Sequence, residues 1–157
     1  MYMTTLGSGI LKAEMDGTKP SVIINDQCNP AGLTVDWISL QLYWACLNPS
    51  EIESATLGGQ NHRTVQSLQS SSNPHGIVTY NDYIYWGNYG SKSLQSRAKN
   101  GSSIRTHYVG SESINHMVVV PPYQKPAAGR VNPCKGATCD FCVLTSTGHS
   151  CLKPTNY

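Results

Sequence analysis

Cysteine is the residue type in this sequence whose number and spacing could carry chemistry. The chain of 157 residues contains six cysteines, and four of them lie within its last 24 residues. They are Cys28, Cys46, Cys134, Cys139, Cys142 and Cys151. Thiols at such density form disulfides in small secreted modules or bind a metal ion in reduced proteins. The density in the tail predicts a small disulfide-linked module and therefore an oxidising compartment.

A zinc site is the alternative for the cysteines of the tail. Cys139 and Cys142 have the two-residue separation that zinc ligands often show, and His149 follows them in the sequence. The separation of Cys134 and Cys139 by four residues fits a disulfide module better. We therefore expect no bound metal ion and no cofactor.

No set of side chains in the sequence suggests catalysis. The carboxylates are few and dispersed, and no nucleophile stands out together with a base. Histidine titrates between about pH 5 and 8 and can sense pH, but surface or turn positions are the simpler interpretation of the five histidines. They are His62, His75, His107, His116 and His149. We do not expect an enzyme, and the sequence assigns no ligand-binding residue.

The charge balance argues against two classes of partner. The formal net charge is +2 and 13% of the residues are charged, which does not indicate a nucleic-acid-binding or membrane-binding surface. No apolar run reaches about 18 residues, so we expect no membrane insertion by this segment. The N-terminus also lacks the pattern of a signal peptide. A disulfide module without a signal peptide predicts that the chain is a piece of a longer precursor.

The elements that must position these residues form a repeat. Tyr2, Tyr43 and Tyr85 begin three related tetrapeptides at spacings of 41 and 42 residues. Three turn dipeptides follow at spacings of 42 residues. They are Asp16-Gly17, Gly58-Gly59 and Asn100-Gly101. Independent landmarks therefore agree on one period.

Each repeat is predicted to contain four short strands, because its apolar runs are short and bounded by turn residues. In the second repeat we expect strands at residues 32–37, 41–46, 52–57 and 63–68. An Asn-Pro turn opens the repeat, and a Gly-Gly or Asn-Gly turn joins its last two strands. A period of about 40 to 45 residues with four strands is typical of a β-propeller blade, so the predicted class is all-β.

The repeats resemble the YWTD repeats of the low-density lipoprotein receptor family. Residues 29–37, NPAGLTVDW, followed by LYW at 42–44 carry the most specific match, and residues 76–88 match well. The first copy is degenerate, with Met3 at the Trp position. The signature residues are Tyr2, Tyr43, Trp44, Tyr85, Trp86 and Asn88. We expect the aromatic side chains to pack in the core rather than to form a binding platform.

The resemblance implies a partial propeller. The family's propeller has six blades, and residues 1–120 would supply about three of them. Residues 2–25 would form the outer three strands of one blade, two complete blades would follow, and residues 114–120 would form a lone inner strand. In the family, a closing blade is built from both ends of the propeller in this way. Residues 121–131 are then a Pro-rich connector, and residues 132–157 form the last domain.

One departure from the resemblance concerns the family's eponymous Asp. Thr5, Cys46 and Asn88 stand at that position in the three copies. In the family, this Asp belongs to a hydrogen-bond network that ties neighbouring strands together. A buried polar group that loses its partner costs about 1–3 kcal/mol, so we expect weaker blades here.

Residues 132–157 resemble the EGF-like module that follows such propellers. By that resemblance Cys134 pairs with Cys142 and Cys139 pairs with Cys151, although four cysteines allow three pairings. The fifth cysteine of the module would fall at Lys153, so the module is expected to be truncated. The acidic residues that bind calcium before the first cysteine are absent from the sequence.

Three further residues are left with two interpretations each. Cys28 precedes an inner strand and Cys46 ends its antiparallel neighbour, so the two form either a disulfide or two half-buried free thiols. Asn100 begins an N-glycosylation sequon with Gly101 and Ser102 in a predicted turn. The alternative is a turn that is kept for its backbone conformation alone.

By resemblance, the chain is a non-catalytic extracellular segment of a lipoprotein-receptor-related endocytic or signalling receptor. Its work would be to bind a protein ligand or to release it at acid pH. The alternative is a secreted structural or assembly protein of decayed receptor repeats, which completes its propeller with another chain or as a homodimer. Both interpretations place the chain in an extracellular or lumenal compartment, and neither names the ligand or the propeller face that binds it.

Overall fold

The computed structural model describes residues 1–5, 7–25, 28–119, 141–145 and 148–152 of the chain. Within these ranges the regular structure consists of strands, and no helix occurs. The described residues fall into two compact units, of which the first ends at Val119 and the second contains a hairpin of the tail. The all-β prediction is confirmed.

The first unit contains three antiparallel sheets, which we number blades 1 to 3 in chain order. Strands that are neighbours in each sheet are also consecutive in the chain. Blade 1 consists of β1 (Tyr2–Thr5), β2 (Gly9–Lys12) and β3 (Ser21–Ile24). Blade 2 consists of β4 (Pro30–Asp36), β5 (Gln41–Cys46), β6 (Glu51–Thr56) and β7 (Arg63–Ser67). Blade 3 consists of β8 (Pro74–Tyr80), β9 (Tyr83–Asn88), β10 (Ser93–Ala98) and β11 (Arg105–Val109).

The strands of blade 2 lie close to their predicted positions. None of the eight observed boundaries differs from its predicted counterpart by more than two residues. The agreement follows from local turn chemistry. Asn29 and Asn73, which precede β4 and β8, have φ angles of 55° and 46°, a left-handed conformation that asparagine tolerates better than most residues.

Glycine closes the turn between the last two strands of each blade. The amides of Gly17, Gly59 and Gly101 each donate a hydrogen bond to the carbonyl three residues earlier, at 3.0, 2.9 and 3.0 Å. Gly17 and Gly59 have φ angles of 84° and 86°, which glycine adopts without strain. The most regular landmark of the repeat is therefore a backbone requirement of each blade.

Two apolar cores join the three blades. The core between blades 1 and 2 includes Ile10, Ile24, Cys28, Leu42, Trp44, Cys46 and Ala55. The core between blades 2 and 3 includes Tyr43, Ala45, Ile52, Val65, Ile77, Ile84 and Trp86. Trp44 and Trp86 are completely buried, and Tyr43 is nearly so. Successive blades are thus packed face to face through the strand that carries the aromatic pair.

Residues 114–119, which we call the edge segment, differ from the sequence prediction. We expected an inner strand at 114–120, but residues 114–119 join none of the described sheets, and Val120 lies outside the described residues. An apolar run forms a strand only where a neighbouring strand can share its hydrogen bonds. The described part of the chain supplies no second strand at this place, so the prediction of a formed strand was wrong.

In the tail, β12 (Phe141–Thr145) and β13 (Gly148–Leu152) form a two-stranded antiparallel sheet. The backbone register places Cys142 opposite Cys151. Cys134 and Cys139 lie outside the described residues, as do the connector at 121–131 and Lys153. The EGF-like module, its truncation and its disulfide pairing therefore stay predictions.

Candidate functional site

One position in each blade holds the residue that stands in place of the family's Asp. The three residues end the strands β1, β5 and β9, and each lies opposite the first residue of the next strand. The opposed pairs are Thr5 with Gly9, Cys46 with Glu51, and Asn88 with Ser93. The three residues therefore occupy structurally equivalent places.

Each of the three residues makes a different link at this place. The Thr5 hydroxyl donates a hydrogen bond to the carbonyl of Gly9 at 3.2 Å. Cys46 forms a disulfide with Cys28, which settles the alternative between a bridge and free thiols. The Asn88 amide donates to two side-chain oxygens of β10, each at 2.9 Å. Neighbouring segments are thus still tied together in all three blades, although the family's Asp is missing from each.

The Asn88 amide belongs to a small network inside blade 3. Its Nδ2 donates to Oγ of Ser93 and to Oε1 of Gln95, and that same Oε1 accepts from Nε1 of Trp86 at 3.2 Å. Asn88 is completely buried, and its Oδ1 has no hydrogen-bond partner among the described residues. This side chain therefore joins β9 to β10 without a buried charge.

A buried carboxylate lies beside the disulfide of blade 2. Oε2 of Glu53 is 3.1 Å from Nε2 of His62, whose ring lies 5.2 Å from that of Trp44. The ligand-type atoms of Cys28, Cys46 and Glu53 lie within 4.8 Å of one another. Both sulfur atoms belong to the disulfide, and the thiolate is the form of cysteine that binds metal ions. In this oxidised form the cluster is structural.

Polar contacts fasten the blades to one another. Blade 1 is joined to blade 2 by the Tyr2 hydroxyl, which donates to the carbonyl of Leu57 at 3.0 Å. The Thr4 hydroxyl makes a second bond to the carbonyl of Ala31 at 2.8 Å. The guanidinium of Arg97 in blade 3 donates to two acceptors on β7 of blade 2. The relative positions of the three blades are therefore fixed by directional bonds as well as by the cores.

Asp36 joins blades 2 and 3 at the end of β4. Its Oδ2 lies 2.5 Å from Nζ of Lys99, and its side chain is 4% exposed. It also accepts hydrogen bonds from the Ile38 amide at 3.1 Å and from the Ser39 hydroxyl at 2.5 Å. Burial raises the pKa of Asp36, but the bonds from Lys99, Ser39 and Ile38 outweigh it and hold the pKa below the usual 3.8. Asp36 is therefore ionised at neutral pH.

A groove of about 350 Å³ crosses the beginnings of the inner strands. Thr4, Ala31, Leu47, His75, Asn115 and His116 contribute to its lining. Apolar side chains, two imidazoles and an amide are mixed there, and Asn115 and His116 are exposed. We call this feature the inner-strand groove. Its composition suits contact with a protein surface, since it combines apolar area with orienting polar groups.

The opposite end of β4 leads into an exposed apolar turn. Trp37, Ile38 and Leu40 are 69%, 87% and 56% exposed. Asp36 holds the turn through the Ile38 amide and the Ser39 hydroxyl. No contact surface was predicted at this turn, although the apolar residues that follow Asp36 in the sequence are a signal that could have indicated one. The chain therefore has a second candidate contact surface, about the length of β4 away from the groove.

The histidines of the first unit fall into two groups. His75 and His116 line the inner-strand groove. His62 contacts Glu53, and Nε2 of His107 lies 2.7 Å from Oγ of Ser96. The side chain of His149 lies outside the described residues. Two of these four histidines therefore line the same cavity.

Asn100 is exposed in the turn between β10 and β11. The neighbouring Gly101 amide closes this turn on Ala98. Exposure satisfies the first requirement for modification of a sequon. Glycosylation of Asn100 stays a prediction.

Within the residues that the structure describes, no helix has the length and apolar character needed to cross a bilayer.

No family model matches the chain. Low-density lipoprotein receptor-related protein 5 from human is 26% identical over 151 residues, which cover 94% of this chain and 9% of that protein. Vitellogenin receptor Yl from Drosophila melanogaster is 26% identical over 98% of this chain and 8% of its own length. Human low-density lipoprotein receptor-related protein 4 is 32% identical over 125 residues, or 78% of this chain and 6% of that protein.

Solved structures support the same fold. The nidogen/laminin complex contains a chain that matches with a TM-score of 0.66 and 23% identity, over 73% of this chain and 46% of that one. A streptogramin B lyase matches with a TM-score of 0.57 and 16% identity, over 70% of this chain and 37% of that one. At these identities the likeness shows the β-propeller fold alone and transfers no activity. The chain spans less than a tenth of the receptors that it matches in sequence.

Proposed function

Since the repeats of this chain are homologous to a segment of lipoprotein-receptor-related proteins, we propose that it is an extracellular, non-catalytic segment that binds a protein ligand. The observation that carries this proposal is the reach of the homology, which covers 78% to 98% of the chain in three receptor relatives. The Cys28–Cys46 disulfide supports an oxidising, extracellular or lumenal compartment. The structure also contributes a concave surface of suitable size.

The inner-strand groove is the surface that we assign to the ligand. It lies across the inner strands of two blades, whose relative position the polar contacts between blades hold fixed. A rigid surface loses little conformational freedom when a partner binds, which favours affinity. We also place release of the ligand in acid at this surface, because two histidines, His75 and His116, line it.

Binding of named proteins to the 157-residue chain tests this proposal. Vitellogenin and laminin are the first probes, because the names of two matched proteins state those partners. Leu47→Arg places a charge at the rim of the groove, whereas Ile38→Arg places the same charge on the exposed turn at the other end of β4. We expect the unmodified chain to bind one of the probes, Leu47→Arg to weaken binding at least about tenfold, and Ile38→Arg to leave it unchanged.

The results of these experiments test the binding surface and the receptor function independently. Binding that weakens equally in both variants, or only in Ile38→Arg, would contradict the groove as the binding surface. Failure to bind either probe at neutral pH would contradict the receptor function for these two ligand classes. Binding at about pH 7 that persists unchanged at about pH 5.5 would contradict release by acid.

A second candidate function is assembly, in which another chain or a second copy completes the propeller. One specific observation favours it. The first strand of blade 1 pairs with β2 only, so one of its edges has no partner strand among the described residues. Exposed sheet edges are sites at which other strands add.

A further inference from the structure

The cluster around the disulfide of blade 2 is more polar than a structural bridge requires. Oε2 of Glu53 lies 3.2 Å from Sγ of Cys46 and 3.8 Å from Sγ of Cys28. A sulfur atom in a disulfide carries no proton, so it donates no hydrogen bond to this carboxylate. Glu53 is nevertheless only 6% exposed, and Nε2 of His62 lies 3.1 Å from the same oxygen. An acidic and an imidazole side chain therefore meet beside a neutral bridge that gains nothing from them.

The side chains of this cluster come from the whole width of blade 2. Cys28 precedes β4, Cys46 ends β5, Glu53 lies in β6 and His62 directly precedes β7. Trp44 of β5 lies opposite Glu53 in the register, and Cys46 follows Trp44 by two residues, so its side chain lies on the same face. The ring of His62 packs against that of Trp44. One atom bound by all four groups would therefore link every strand of the blade.

The distances within the cluster suit a tetrahedral metal ion. Zinc binds sulfur at about 2.3 Å and nitrogen or oxygen at about 2.0 to 2.2 Å, so its ligand atoms lie about 3.3 to 3.8 Å from one another. The three contacts of Glu53 Oε2, at 3.1, 3.2 and 3.8 Å, are close to that range. The two sulfur atoms would move apart to a similar distance after reduction. Thiolate ligands favour zinc over calcium or magnesium, which prefer oxygen.

We propose that reduction of the Cys28–Cys46 bridge by a dithiol converts this cluster into a structural zinc site. The four ligands are the two cysteine sulfurs, the Glu53 carboxylate and Nε2 of His62. The dithiol transfers two electrons and two protons to the bridge and becomes a disulfide itself. The two cysteine thiols then release two protons as Zn²⁺ forms two bonds to sulfur. The oxidation state of zinc does not change.

The exposure of the ligands gives the ion a route into the site. Cys28, Cys46 and Glu53 are buried, whereas the side chain of His62 is 39% exposed. An ion from solvent can therefore reach the cluster past the imidazole ring. Four protein ligands leave no open position for a substrate, so the expected role of the metal is to stabilise the blade. Without zinc, reduction leaves blade 2 without this link.

Metal binding by the 157-residue chain tests the proposal. The thiols of the tail are first removed by four substitutions to serine, at Cys134, Cys139, Cys142 and Cys151, which lie outside the compact unit that contains the blades. A phosphine reductant opens the remaining bridge without adding a thiol ligand. Co²⁺ is the probe, because its absorption reports its geometry and its ligands. We expect one tetrahedral Co²⁺ per chain after reduction, with a thiolate-to-cobalt charge-transfer band, and no such bands from the oxidised chain.

Substitutions in the same chain identify the other two ligands. Glu53→Gln and His62→Gln should each weaken the affinity of the reduced chain for Zn²⁺ at least about tenfold, measured by competition with a chromophoric chelator. Glu112→Gln and His107→Gln make the same chemical changes at exposed positions away from the cluster. These two control variants should bind Zn²⁺ with unchanged affinity.

Thermal unfolding provides a readout that does not depend on a spectroscopic probe. Zn²⁺ at about a hundredfold excess over its Kd should raise the melting temperature of the reduced chain by about 5–10 °C. The oxidised chain should show no such shift, because both sulfur atoms are bonded to each other.

Four results would overturn the zinc site. They are a reduced chain that binds no Co²⁺, equal binding by the oxidised chain, unchanged affinity in the Glu53 and His62 variants, and loss of β-sheet circular dichroism on reduction that Zn²⁺ does not restore. The metal binds the reduced chain, whereas the binding of vitellogenin or laminin is measured on the oxidised chain. The zinc site and the proposed function can therefore fail separately.

Discussion

Nζ of Lys99, which follows β10 of blade 3, lies 2.5 Å from Oδ2 of Asp36 at the end of β4 in blade 2. The same ammonium group donates to the carbonyl of Asn81 at 2.5 Å. The carboxylate is buried and also holds the exposed turn after β4, so this pair couples the packing of two blades to the shape of a surface loop.

The stability of the chain is expected to depend on the ionisation of Asp36. The folded state lowers the pKa of Asp36 below 3.8, so its contribution to stability is complete above about pH 5 and is lost as the pH falls through the lower folded value. Asp36→Asn should reduce the free energy of unfolding at pH 7 by about 1–3 kcal/mol and flatten its dependence on acid pH. Urea unfolding at pH 7 and in acid measures both effects. The exposed Asp82→Asn is the charge-matched control, and an equal loss in that variant would contradict the assignment.

The Cys28–Cys46 disulfide is expected to stabilise blade 2 strongly. The bridge closes a loop with a sequence separation of 18, and a loop of this size is worth about 3 kcal/mol in the chain-entropy model. Replacement of both cysteines by serine should lower the free energy of unfolding by about that amount. Because the tail cysteines remain in this variant, mass spectrometry after alkylation checks that their oxidation state is unchanged. A loss below about 0.5 kcal/mol would show that the bridge does not form or does not stabilise.

Asn88 is expected to stabilise blade 3, although its side chain is uncharged. Asn88→Ala removes the donor that serves Ser93 and Gln95 and leaves a gap in a buried site. We expect a loss of about 1–3 kcal/mol in the free energy of unfolding, measured by chemical denaturation. Asn48→Ala, at an exposed position after β5, provides the matched control. A negligible effect at Asn88 would mean that the network is not formed in solution.

Alanine variants of Gly59 and Gly7 distinguish the cost of backbone strain from the cost of a clash between blades. Both have a positive φ, at 86° and 79°. A methyl group at Gly59 would lie 2.2 Å from the carbonyl oxygen of Ile23 in blade 1, whereas nothing lies within 4 Å at Gly7. Gly7→Ala should therefore cost about 1 kcal/mol from strain alone, and Gly59→Ala should cost clearly more. Thermal unfolding of the two variants under the same conditions compares them, and equal costs would contradict close packing at Gly59.

The repeat and its strands could be predicted from the sequence because they depend on local interactions. Asn29 and Gly59 impose their turns through their own backbone preferences, wherever the rest of the chain lies. Links across the sheet could not be predicted in this way. The partners of Asn88 and Asp36 are set by register and by packing between blades, so the Lys99 contact has no signal in the sequence near Asp36.

The edge segment shows the limit of a pattern-based prediction. Residues 114–119 are as apolar as an inner strand and occupy the place of one, yet they form no ladder in the described chain. The apolar pattern indicates which face of a segment can be buried. Whether the segment forms a strand depends on a hydrogen-bonding neighbour that the local sequence does not contain. The candidate groove was missed for a related reason, because Leu47 and His116 come together only through the packing of the blades.

The three links at the Thr5, Cys46 and Asn88 positions differ in their sensitivity to a chemical reductant. A hydroxyl and a carboxamide hold blades 1 and 3, and neither changes its bonding with the oxidation state of the surroundings. Blade 2 is held there by a bond that a thiol reductant cleaves, with transfer of two electrons and two protons to the sulfur atoms. In a reducing compartment, blade 2 would therefore be the first blade to lose its link. Because blades 1 and 3 both pack against blade 2, its loss of stability would affect the whole unit.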